Sequence, residues 1–131
     1  MKLNVRGAEA FASTGGRDFD PSGEVIIFIH GSGQSRLCFQ LQHRFLANRG
    51  WQVLSPDLPG HGLSGGSALP SIEAQADWIA AFLEATGVES AHVAGHSQGG
   101  LVALELARRQ ATKARSLIFM ATALAIPVNE A

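Results

Sequence analysis

The sequence predicts an α/β fold, a three-layer sandwich with a mostly parallel sheet, on three observations. From Glu24 onward, strand-like runs alternate with helical patterns. The runs EVIIFI at Glu24 to Ile29 and SLIFMA at Ser116 to Ala121 are apolar without alternation, as strands covered on both faces are. Every strong turn in this section follows the C-terminal end of a strand, the edge at which open parallel sheets bind ligands.

The elements follow in order. Residues 1–23 combine weak alternation at Lys2 to Val5 with a GGRDFDPSG turn at Gly15 to Gly23, which suggests an antiparallel hairpin at the sheet edge. Strand EVIIFI ends at HGSG. Arg36 to Asn48 places Leu37, Leu41, Phe45 and Leu46 at helical spacing and finishes at Gly50. A short strand follows at Trp51 to Leu54, and then PDLPGHGLSGGS, Pro56 to Ser67, reads as loop. The second helix begins at Ser71 as N-cap, with Glu73 suiting its first turn, and runs along Ile72, Ala76, Ile79 and Leu83 to Gly87. Ala91 to Gly95 is a strand, Gly99 to Gln110 a helix buried in its early turns, and Ser116 to Ala121 the last strand. All 131 residues form one domain, with 24–131 its alternating core.

Composition narrows the function classes. The chain is 46% hydrophobic with ten basic against eleven acidic side chains, which excludes disorder and a general affinity for nucleic acid or anionic membrane. The single Cys38 forms no internal disulfide, the start MKLNVRGAEA lacks a secretory pattern, and no apolar run reaches membrane-spanning length. A cytoplasmic setting is the expectation.

The chemistry centres on GHSQG at Gly95 to Gly99. This G-x-S-x-G lies between a buried strand and a buried helix, the context in which the motif forms a nucleophile elbow. The strained turn projects Ser97, and the chains pass so closely that only small residues fit at Gly95 and Gly99. The first amides of the following helix point at the site, so the N–H of Gln98 is available to a developing oxyanion. A second donor is expected from the N–H of Ser32, with Gly31 and Gly33 leaving room.

HGSG at His30 to Gly33, DLPGHGLS at Asp57 to Ser64 and GHSQGG at Gly95 to Gly100, in that order, resemble the α/β-hydrolase superfamily in its esterase and lipase-like branch. The resemblance implies Ser97 as nucleophile, Ser32 and Gln98 as the oxyanion hole, no cofactor, and a small-molecule acyl substrate. It gives Asp57 and its loop glycines, Gly60 among them, a structural role beside the pocket. A serine at the elbow argues against the branches that use aspartate there, the haloalkane dehalogenases and epoxide hydrolases.

The same resemblance implies about eight strands and a triad whose acid and histidine follow the nucleophile. His30, His43, His61, His92 and His96 all precede Ser97. Glu130, beside Asn129, is a poor acid candidate. The expectation is therefore an α/β-hydrolase fold truncated after about the sixth strand, inert or nearly so alone, with strand 116–121 exposed as an edge for a partner or for self-association. His96 is expected to pack or stabilise the turn, and His30 to join loops by hydrogen bonds. A metal site from Asp57, His61 and His96 matches no ligand spacing. GHGLSGG lacks the lysine of a phosphate loop. Cys38, Trp78 and Phe82 read as packing residues. The competing function is a catalytically silent binding module that keeps the pocket and pairs through its open edge.

Overall fold

The computed structural model describes residues 1–122. Asn129 and Glu130 lie outside them. Strands β1 (Lys2–Val5) and β2 (Ala8–Ser13) form an antiparallel hairpin. Its turn is at Arg6 and Gly7, both with positive φ, and GGRDFDPSG instead carries the chain from β2 into β3 (Val25–Ile29). Helix α1 (Gln40–Ala47), strand β4 (Gln52–Pro56), helix α2 (Ile72–Ala85), strand β5 (Ala91–His96), helix α3 (Gln98–Arg109) and strand β6 (Ala114–Met120) follow.

The six strands make one sheet in the order β1-β2-β4-β3-β5-β6. The four central and distal strands are parallel, with Ile27 beside Leu54 on one side and Val93 on the other. The hairpin joins antiparallel through Ala12 opposite Pro56 and Ser13 opposite Ser55. Proline is tolerated there because the ladder between β3 and β4 ends at Leu54, so its missing N–H removes no bond to β3. Thus β4 runs two residues further than the sequence pattern suggests, into the first residue of the proline- and glycine-rich loop.

The unalternating β3 run now has a physical reason. Val25, Ile27 and Ile29 face the core beneath α2 and α3, together with Ile79, Phe82, Leu83, Val102 and Leu106. Ile26 and Phe28 face the opposite layer with Phe39, Ala47, Val53 and Ala94. Both faces are thereby removed from water, at roughly 25 cal/mol per Å² of apolar surface. Helix α2 is started by Ser71, whose side chain accepts the Ala74 N–H at 3.0 Å.

Helix α1 departs from expectation. Its first turn, Arg36–Phe39, is a 3-10 helix, and the residues turned inward are Phe39, His43 and Ala47. Leu41 and Phe45 are 82% and 55% exposed, and Leu37 is exposed as well. Small residues decide this: a Cβ on Gly15 would come within 2.5 Å of the Ala47 Cβ, so the Ala47 face is the one that can approach the chain closely. The outward apolar face borders a groove of about 460 Å³ walled by Ile26, Phe28, Leu46, Ile118 and Met120. Strand β6 stands last in the sheet, with Ile118 and Phe119 41% and 50% exposed. Among the described residues no helix is long and apolar enough to cross a membrane.

Candidate active site

Three turns meet at the C-terminal edge of the parallel strands. The turn between β5 and α3 is the tightest. Ser97 sits at φ 55°, ψ −123°, a conformation that an L-residue occupies only under strain. Neighbouring glycines make the turn sterically feasible. A Cβ on Gly95 would collide with the Gly99 carbonyl, and one on Gly99 with the carbonyls of Ile29 and His30. The Ser97 N–H donates to the Met120 carbonyl at 2.9 Å, and its own carbonyl accepts from Gly100 at 3.0 Å to begin α3. Gln98 is the first helical residue, so its N–H has no acceptor within the helix.

The HGSG turn lies directly against this elbow. A Cβ on Gly31 would stand 3.3 Å from the Ser97 Cβ and 3.3 Å from the His96 carbonyl, so even a methyl group there would require the elbow to give by a few tenths of an ångström. Gly33 adopts φ 72°. Ser32 and Gln98 line one cavity of about 60 Å³, together with Leu58, His61 and Gln75. The structure therefore brings Ser32, Gln98 and the elbow to one place.

The third turn is organised by Asp57. Its buried carboxylate accepts the Arg36 N–H at 2.8 Å, the Arg36 guanidinium at 2.7 Å and the Leu63 N–H at 2.9 Å. Gly62 presses against it so closely that no Cβ fits. Gly60, at φ 73°, donates to the Gly65 carbonyl, and Ser64 ties the loop to β2 by donating to the Asp57 carbonyl and accepting from Phe11. Asp57 thus shapes the loop through its contacts with Arg36, Leu63 and Ser64.

Four of the five imidazoles are engaged by partners other than Ser97, and the fifth, His43, is buried without a partner. His30 is fully buried; burial pushes its pKa down, the Gly31 carbonyl opposes that, His61 adds to it and Asp57 opposes it. His96 donates from Nδ1 to the Gln34 side-chain oxygen at 3.1 Å and meets the Phe39 ring edge-on. His92 lies at the other end of β5, bonded to Ser116 and Glu24. His43 is buried in α1 with no partner at either ring nitrogen, and burial, then Arg44 and Arg36, hold its pKa down. Among the described residues no imidazole is hydrogen-bonded to Ser97, and no cluster of three metal-ligating side chains occurs.

Two residues that shape the site carry little sequence signal. Gln34 accepts the Gly31 N–H at 2.9 Å and the His96 proton, joining the HGSG turn to the elbow. Arg36 neutralises Asp57 and lies 4.6 Å over the Phe11 ring. The available clue was local for Gln34 alone, a polar side chain three residues beyond the glycine whose N–H it accepts; Arg36 lies 21 residues from Asp57.

Over residues 24–131 the sequence matches the family described as alpha/beta hydrolase fold. The chain belongs to this family. It is 40% identical over 106 residues to a pimeloyl-[acyl-carrier protein] methyl ester esterase of Neisseria meningitidis, covering 80% of this chain and 32% of that protein. It is 42% identical over 85 residues to a dihydrolipoyllysine-residue acetyltransferase component of an acetoin cleaving system from Cupriavidus necator, covering 64% of this chain and 22% of the other. Among solved structures, a membrane phospholipase A described as a bacterial virulence factor superposes with a TM-score of 0.86 at 29% identity, over 99% of this chain and 41% of its own. The chain thus spans about a fifth to a third of these two sequence relatives' length.

Proposed function

We propose that this chain supplies the nucleophile and oxyanion hole of a serine hydrolase acting on a carboxylic ester or related acyl bond of a small molecule. The observation that carries the reading is the positive φ of Ser97 at the elbow, packed against the HGSG turn. Ser97 Oγ attacks the acyl carbonyl, the Ser32 and Gln98 N–H groups receive the oxyanion, the alcohol leaves, and water hydrolyses the acyl-enzyme. Each N–H donor contributes about 3 kcal/mol to the transition state. The ester-cleaving relative from Neisseria supports the bond class. The reading needs no cofactor. The single free cysteine supports a reducing, cytoplasmic setting.

The reading includes low activity for this chain alone. A serine without a base is a weak nucleophile, and loss of a triad member costs about a millionfold in turnover, leaving roughly a thousandfold from the oxyanion hole and binding. No described imidazole reaches Ser97, so the base and acid come from polypeptide outside the described residues, and β6 is the edge along which that polypeptide docks. The engagement of His30, His61, His92 and His96 elsewhere also favours a second reading, a silent binding module using the same edge.

Reaction with a fluorophosphonate decides between them. Slow modification confined to Ser97 and abolished in Ser97→Ala is expected; no modification at Ser97 overturns the reading that this chain by itself holds a reactive serine, and favours the module.

A further inference from the structure

The two histidines of the flanking turns hold one another's loops. His30, in the HGSG turn, bonds the Gly31 carbonyl through Nδ1 at 2.8 Å and receives the Leu58 N–H at Nε2 at 3.0 Å. His61, in the PGHG loop, bonds the Pro59 carbonyl through Nδ1 at 3.0 Å and receives the Gly33 N–H at Nε2 at 3.3 Å. Each ring is fixed to its own loop by Nδ1 and reaches across to a backbone amide of the other loop by Nε2. The rings meet with centroids 5.1 Å apart.

These four partners dictate the protonation state. A carbonyl oxygen can only accept, so both Nδ1 atoms carry hydrogen; a backbone N–H can only donate, so both Nε2 atoms carry lone pairs. Both imidazoles are neutral and in the same tautomer. Protonating either Nε2 turns an acceptor into a donor facing a donor, and also sets a cation beside the second ring. The other charged groups facing the pair are Asp57 and, through it, Arg36. Gln75 and Gln98 complete the surroundings of His61 without charge, and His96 faces Gln34 on the elbow side of the HGSG turn.

Between the two latched residues lies Ser32. Gly31 is held through its carbonyl by His30 and through its N–H by Gln34, and Gly33 is held through its N–H by His61. We propose that His61 is a positioning residue of the acyl-transfer site, which with His30 forms a reciprocal latch of neutral imidazoles that aims the Ser32 N–H at the oxyanion. The inference rests on the hydrolase reading for its catalytic consequence and on the loop geometry for the latch itself.

The test uses the whole chain labelled with ¹⁵N and two variants, His61→Leu, which removes the acceptor, and His61→Gln, whose side-chain oxygen can replace it. Long-range ¹H–¹⁵N spectra of the unaltered chain are expected to show both rings protonated at Nδ1 at neutral pH; an Nε2–H tautomer at His61 overturns the latch even if neither variant folds. His61→Leu is expected to mobilise the Ser32 and Gly33 amides in ¹⁵N relaxation and to slow fluorophosphonate modification of Ser97 on the order of a hundredfold, the scale of a misplacement of about 1 Å. His61→Gln is expected to restore order and most of the rate. Amides as rigid in His61→Leu as in the unaltered chain overturn the proposal. If the unaltered chain shows no Ser97 modification, the reading that this chain by itself holds a reactive serine fails, and the tautomers and amide relaxation still decide the latch.

Discussion

Arg36 grips Asp57 twice, with its backbone N–H at 2.8 Å and its guanidinium at 2.7 Å, and the carboxylate it holds is fully buried. The pair joins the start of the first helical segment to the loop after β4, so it sets the distance between two of the three turns of the site. Removing one partner of such a pair strands the other's charge away from water. We expect Asp57→Ala to cost about 3–5 kcal/mol in urea denaturation. A cost below about 1 kcal/mol would show that water replaces the carboxylate.

The elbow stores strain that a single substitution can release. Ser97 has a backbone conformation favourable only to glycine. Ser97→Gly is expected to stabilise the chain by roughly 1 kcal/mol, the lower end of the cost of a strained residue, while abolishing fluorophosphonate modification. Unchanged or lower stability would mean that the surrounding turn, not the residue, dictates the energy of the elbow.

Acid should weaken the fold through its buried imidazoles. Burial holds both His30 and His43 below their ordinary value of 6.5, so the unfolded chain binds more protons than the folded one just below that value. Their contribution is complete above pH 6.5 and is lost as pH falls through the lowered folded-state values. The urea midpoint is expected to drop between neutral pH and pH 5, in a window set by about 6.5 at its upper end. His43→Leu should flatten part of that slope and, by removing two unpartnered buried nitrogens, raise stability at neutral pH by about 1 kcal/mol. An unaltered slope in that variant would place the acid response elsewhere.

Among the described residues β6 is the last strand of the sheet, and it carries exposed apolar side chains that natural edge strands usually avoid. Ile118→Lys and Phe119→Lys are expected to reduce concentration-dependent association in light scattering, with little change in helicity. Association that persists in both variants would assign it to another surface, such as the groove beside Leu41 and Phe45.

Much of this architecture is legible in the sequence because its determinants are local. Ser71 caps α2 through its own side chain, and Gly95 and Gly99 announce the close crossing at the elbow. The α/β alternation, with its parallel sheet, follows from run lengths and turn residues alone. What local pattern could not supply was the choice between two apolar faces of α1. Leu37, Leu41 and Phe45 make the more apolar stripe, yet Phe39, His43 and Ala47 face inward, because a glycine from the β2–β3 connection demands a small neighbour. The hairpin turn was misplaced for a similar reason: Arg6 and Gly7 are a weaker turn signal than GGRDFDPSG, but β2 must end near β4 to pair with Ser55 and Pro56. Arg36 and Gln34 were silent because Asp57 and His96, the partners they hold, lie 21 and 62 residues away in the chain, and polar residues near glycine turns usually face water.

The bond from the Ser97 N–H to the Met120 carbonyl has a mechanical meaning. It tethers the elbow to the last residue of the outermost strand, so whatever braces that strand also braces the serine. A neighbour laid along the free side of β6 would damp the motion of Met120 and, one hydrogen bond away, of the turn itself. Assembly at the rim of the sheet and readiness of the serine are then two readouts of one tension.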